Sequence, residues 1–159
     1  MKHLYLESSI VSYLAALPSR DLIKTARQQI THEWWAKRRH DFEVFVSEIV
    51  IEEISQGNSD AVQRRLEVVA GLPVLNLTEA AEDLAGFIVD RGGLPAKAVQ
   101  DALHLGVAAV HGVDYLLTWN CRYLANAELM GGMSALLVER GFHPPVVCTP
   151  DELLGQNDV

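Results

Sequence analysis

Cysteine is nearly missing from this chain. Cys121 and Cys148 are its only thiols, too few for a disulfide framework, and they read as reduced cysteines of a cytoplasmic protein. Long apolar runs are also missing: none approaches the roughly 18 residues of a membrane-spanning helix. Glu7 interrupts the apolar stretch at the amino end, and no small-residue cleavage site follows, so no signal peptide is expected. Basic charge is short, with 13 Lys and Arg against 21 Asp and Glu and a net charge of −8. That balance argues against a general nucleic-acid coater. It suits carboxylates gathered around a metal ion, or a basic protein partner. The local basic clusters "KRRH" (37–40) and Arg64–Arg65 read as solvated helix faces. Repeats, low-complexity tracts and Gly/Pro/Ser linkers are absent as well, so residues 1–159 are expected to form a single domain.

What is present is an alternation of strand and helix patterns. "HLYLE" (3–7) reads as a strand and "SSIVSYLAAL" as a helix with serine near its N-cap. Residues 20–41 read as a helical arm carrying Trp34 and Trp35. "FEVFVS" (42–47) is a second strand, followed by a helix capped by Ser47 and ended near Gly57. A helix over 59–70, a strand over 72–78 and a helix over 79–91 come next. Pro95 then opens a helix to His111, "DYLLTW" (114–119) is a strand, "CRYLANAELM" a helix, and "PVVCT" (145–149) a last strand. This alternation predicts a three-layer α/β/α sandwich around a central parallel sheet of four to five strands.

In such sheets ligands bind beyond the carboxyl ends of the strands, where Glu7 lies. Asp101 stands eleven residues before the turn glycine Gly112, about 16 Å back along a helix. Asn120 stands eight residues after it, about 20 Å along a strand, so both reach the same end. In the helix after the second strand, Glu53 falls at the edge of the buried face, whereas Glu48 and Glu52 project into solvent. Glu7, Glu53, Asp101 and Asn120 can thus ring one crevice; on spacing alone they can equally be separate surface groups. Two carboxylates about 5 Å apart repel by about 3 kcal/mol at an effective dielectric near 20. Clustering therefore makes sense with a divalent cation or a proton to offset it. An oxygen-only donor set points to Mg2+ or Mn2+ rather than zinc.

At these residues the sequence resembles the PIN-domain family, specifically VapC-type toxin ribonucleases of bacterial toxin–antitoxin pairs. The resemblance is carried by "YLESS" with Glu7, "VSEIVIEEI" with Glu53, "DALHLGVAAVHG" with Asp101 and "LLTWN" with Asn120. The four motifs occur in order across nearly the whole chain. Two positions depart from the family pattern. Glu7 replaces the usual Asp, and Asn120 brings a carbonyl oxygen or a water-orienting amide but no charge.

The resemblance implies a metal-dependent endoribonuclease hydrolysing RNA phosphodiester bonds. Glu7, Glu53 and Asp101 would be ligands of Mg2+ or Mn2+, Ser9 and Asn120 would position water or a ligand, and Thr118 would support the strand end. It also implies an RNA substrate attracted by Arg38 and Arg39, a small antitoxin protein as partner, and a homodimer. The alternative is a catalytically weakened PIN-like module that binds RNA or protein. Phosphatase and receiver sites of other α/β folds require acid pairs after the first strand, where this chain has "ESS".

Five further residues read as structural. His104, one turn from Asp101, falls on the polar side of its helical wheel and is expected in solvent. Cys121 is expected as a small buried thiol, Trp34 and Trp35 as core, and Trp119 with its ring turned away from Thr118 and Asn120.

Overall fold

The computed structural model describes residues 1–155; the last four residues of the domain expected over 1–159 lie outside the described residues. Its strands are β1 (Lys2–Leu6), β2 (Phe42–Ser47), β3 (Val74–Leu75), β4 (Tyr115–Leu117) and β5 (Val146–Cys148). They form one sheet in the order β3-β2-β1-β4-β5, every pair parallel. The helices are α1 (Ser8–Ala15), α2 (Leu22–Arg38), α3 (Glu48–Ile54), α4 (Ser59–Val69), α5 (Glu79–Asp90), α6 (Val99–Val110) and α7 (Ala127–Glu139). Parallel strands need crossovers, and right-handed crossovers place helices by the direction of travel across the sheet. The chain moves from β1 through β2 to β3, then jumps back to β4 and β5. Accordingly α1 to α4 pack among themselves, and α5 packs with α6 and α7. These are the two outer layers.

β1 occupies the centre, and its Leu4, Tyr5 and Leu6 are wholly buried. Leu4 pairs with Val44 on one side and Tyr115 on the other. The strand order reverses between β1 and β4, so the crevice of such a sheet opens at their carboxyl ends.

Several boundaries differ from those expected. β3 is two residues long instead of spanning 72–78, because Pro73 has no N–H for the ladder and the Leu77 N–H donates to Glu48 Oε2 at 2.8 Å. β4 ends at Leu117, since beyond it the Trp119 and Asn120 amides turn to side chains, Ser9 Oγ and Thr118 Oγ1. The helix expected from Cys121 starts only at Ala127. The Asn120 and Asn126 side chains accept from Tyr123 N and from Glu128 and Leu129 N, which makes turns of the intervening residues. The segment 20–41 holds α2, which packs on α1 and on the turn Pro150–Leu153, with Trp34 fully buried. The helix expected to open at Pro95 begins as a short 3-10 turn, Ala96–Ala98, before α6.

α6 lies unusually close to α5. A Cβ at Gly106 would sit 2.6 Å from the Ala81 carbonyl oxygen, so only glycine allows this approach. Among the described residues no helix is long and apolar enough to cross a membrane.

Candidate active site

Glu7 is the first residue after β1 and the N-cap of α1. Glutamate is not a preferred capping residue, yet its charge suits the positive end of the helix dipole. Its carboxylate accepts three hydrogen bonds: Ser9 N at 3.1 Å on Oε2, and the Ser9 and Thr118 hydroxyls at 2.5 Å each on Oε1. Glu7 is buried, 6% exposed, and forms no ion pair with Lys or Arg among the described residues. A buried anion held by neutral donors alone is an expensive arrangement.

Glu53 comes from α3, and Glu48 and Glu52 of the same helix are exposed. Its Oε1 accepts from Ser8 Oγ at 2.6 Å and from His104 Nε2 at 2.5 Å. Asp101 stands in the first turn of α6, where Oδ1 accepts from Asn120 Nδ2 at 2.8 Å. Asn120 Oδ1 in turn accepts from Tyr123 N at 3.0 Å. Both ends of that amide are therefore engaged: Asn120 clamps Asp101 instead of offering a free carbonyl.

A pattern links the three acids. Each has one oxygen tied by side-chain donors. Glu53 Oε2 and Asp101 Oδ2 have no hydrogen-bond partner among the described residues, and Glu7 Oε2 holds only the Ser9 amide. Burial pushes the Asp101 carboxyl above its ordinary range, and the charges of Glu7 and Glu53 push it further, against His104 and Asn120. Burial also acts upward on Glu53, but the hydrogen bond and charge of His104, with Ser8, hold it below the usual range. Mutually repelling carboxylates, two of them with an oxygen free of hydrogen bonds and the third with one held by a single amide, fit a hard divalent cation.

His104 is not in solvent as its wheel position suggested; it is 1% exposed. α6 is buried on nearly every side from Ala102 to Ala109, so it has no polar face for a histidine. Burial disfavours the imidazolium, but the hydrogen bond to Glu53 and the charges of Glu7, Glu53 and Asp101 raise its pKa. A potential ligand atom of His104 lies within 4.8 Å of those of Glu7 and Glu53. Both of its ring nitrogens are already engaged, however, Nδ1 by Tyr5 Oη at 2.6 Å and Nε2 by Glu53, which leaves an all-oxygen donor set.

Tyr5, Ser8 and His104 escaped the sequence reading. Tyr5 had a signal, since it stands two residues before Glu7 and so on the same face of β1. The ring of Trp119 turns away as expected, donating from Nε1 to Thr31 Oγ1 at 2.7 Å. Cys121 is exposed, not buried. Arg38 and Arg39 are not brought to this site. They end α2 and lead into the amino end of β2, a strand length of about 17 Å from the carboxyl edge. Lys97 and Arg122 are exposed cations close to the site in sequence, four residues before Asp101 and two residues after Asn120.

This architecture has counterparts among solved structures. The VapC20 toxin of Mycobacterium tuberculosis, which cleaves the sarcin–ricin loop, superposes with a TM-score of 0.58 at 18% identity, over 76% of this chain and 92% of that one. VapBC2 of Rickettsia felis, bound to a DNA fragment from its promoter, gives 0.55 at 15% identity, over 92% and 97% of the two chains. Comparison with curated protein sequences finds no match. The PIN domain family model, by contrast, matches residues 4–127 and so takes in β1 through β4 with all four polar side chains at their carboxyl ends. By that match, most of its length, the chain belongs to the PIN domain family.

Proposed function

We propose that the chain is a metal-dependent endoribonuclease, the toxin of a toxin–antitoxin pair, acting as a single domain over 1–159 in the cytoplasm. Glu7, Glu53 and Asp101 would hold Mg2+ or Mn2+. One observation supports the reading: three carboxylates from the end of β1, from α3 and from α6 meet at the sheet's switch point, each tied at one oxygen by side chains, with Glu53 Oε2 and Asp101 Oδ2 free of hydrogen bonds and Glu7 Oε2 holding only the Ser9 amide.

When bound, the cation activates a water and stabilises charge on the scissile phosphate. The protein's own groups do the positioning. Ser9 and Thr118 fix Glu7, Ser8 fixes Glu53, and Asn120 fixes Asp101. Lys97 and Arg122, exposed and close in sequence to Asp101 and Asn120, serve the flanking phosphates. Arg38 and Arg39 would meet only RNA long enough to reach the other end of the sheet. The partners are an RNA substrate, a small antitoxin protein and a second copy of the chain.

The test incubates purified protein with unstructured and tRNA-like RNAs and with Mn2+ or Mg2+. Cleavage is expected only with metal, lost in Asp101→Ala and Glu53→Ala and kept in Glu52→Ala. RNA that stays whole at every metal concentration refutes the enzyme and leaves a PIN-like binding module.

A further inference from the structure

One of the carboxylate tethers described so far continues into the core. Glu53 is tied to a chain of hydrogen bonds that runs through the core. Ser47 Oγ meets Tyr5 Oη at 2.7 Å, Tyr5 Oη meets His104 Nδ1 at 2.6 Å, and His104 Nε2 donates to Glu53 Oε1 at 2.5 Å. Ser47 also accepts from Val50 N as the N-cap of α3, the helix that bears Glu53. The chain therefore closes on itself through α3. It threads the elements that supply all three acids: Tyr5 precedes Glu7 by two residues on β1, and His104 follows Asp101 by one turn on α6.

Tyr5, Ser47 and His104 are buried to within 1% exposure, so water does not compete for these bonds. The Tyr5 hydroxyl can give or take a proton at Nδ1, so Nε2 presents its N–H to Glu53 whichever way that bond points. Buried networks with every member partnered lock a single arrangement. A carboxylate held in this way at one oxygen can turn only its other oxygen outward.

We propose that Tyr5 and His104 are positioning residues that fix Glu53 with Oε2 facing the crevice and hold β1, α3 and α6 in register, so that the three acids present one preformed divalent-cation site. The inference rests on the proposed metal site; neither residue touches the cation or the RNA.

The experiment is Mn2+ binding by calorimetry to the full chain and to Tyr5→Phe, His104→Leu and His104→Gln, with circular dichroism as the check on folding. Loss of a group that orients a ligand weakens metal binding by about 10- to 100-fold. That loss is expected for His104→Leu, with partial rescue in His104→Gln, whose amide can still donate to Glu53. A smaller loss is expected for Tyr5→Phe, which removes a single hydroxyl and, if the leucine variant does not fold, decides the outcome alone. Folded variants that all bind Mn2+ as tightly as the parent overturn the proposal. The second arm is the imidazole proton spectrum of the metal-free protein. A downfield, exchange-protected N–H is expected, displaced in both Glu53→Gln and Tyr5→Phe, and its absence overturns the relay. If the parent binds no Mn2+, the metal reading of the site fails, and the relay is judged on this spectrum.

Discussion

Replacing Asp101 by asparagine should stabilise the metal-free protein while abolishing its chemistry. The Asn120 Nδ2 donor keeps its acceptor, because the new side chain still offers an oxygen at the Oδ1 position. What disappears is a charge that Glu7 and Glu53 both repel. For two carboxylates about 6 Å apart, an effective dielectric near 20 makes such a repulsion worth about 3 kcal/mol. Half-exposure of Asp101 and the compensating His104 bring the net figure down to about 1–2 kcal/mol. For a chain of this size that is an increase of about 3–6 °C in melting temperature.

The sign with pH follows from the raised carboxyl. A folded-state pKa above the unfolded one means that the ionised form opposes folding. The penalty is absent below the ordinary carboxylate range and grows as pH rises through the raised value. The advantage of Asp101→Asn should therefore be full near neutrality and fade as the buffer is acidified. Saturating Mn2+ reverses the order, since ligand at 100 times its dissociation constant adds about 2.7 kcal/mol to the parent. Differential scanning fluorimetry in EDTA and in Mn2+, from pH 4 to 8, measures all of this. A variant that melts at or below the parent in EDTA, with no pH dependence in the difference, refutes the reasoning.

Thr118→Val removes one of Glu7's donors and strands the Asn120 N–H, and urea melts should show a loss of about 1–3 kcal/mol. Gly106→Ala drives a methyl into the Ala81 carbonyl 2.6 Å away, with an expected loss of about 1–3 kcal/mol; an unchanged denaturation midpoint would refute the close crossing of α5 and α6. Burial, then the charges of Glu152 and Asp151, push the Cys148 thiol up to about 12, so at pH 8 only about one in ten thousand is thiolate. A thiol reagent should modify one cysteine per native chain, the exposed Cys121, and two after denaturation.

The strands legible in the sequence are those whose pattern owes little to context. "HLYLE" and "FEVFVS" are interior strands; the first shifts by one residue to Lys2–Leu6 and the second is strand throughout, whereas the segment around Val74 looked equally strand-like and yields two paired residues at an edge. Edge pairing depends on which amides find the neighbouring strand, and Leu77 finds Glu48 instead. The four polar residues at the strand ends could be brought together from spacing, since strand and helix lengths determine where Glu7, Asp101 and Asn120 lie along the sheet. The groups that orient them were not legible. Ser8, Tyr5 and His104 act through bonds between residues 45, 51 and 99 apart in sequence, and no periodicity registers such distances. His104 shows the limit well: a helical wheel assumes a wet side, and α6 has almost none.

The pairing of β1 with β4 has a consequence for the order of events on the ribosome. Glu7 leaves the exit tunnel early, but its Thr118 partner is 111 residues later and follows only after β4. A product that stops short of β4 cannot assemble the pocket, because the central strand lacks that neighbour. On the proposed function, an amino-terminal fragment ending at residue 113, which stops before β4, should cleave no RNA when assayed with Mn2+.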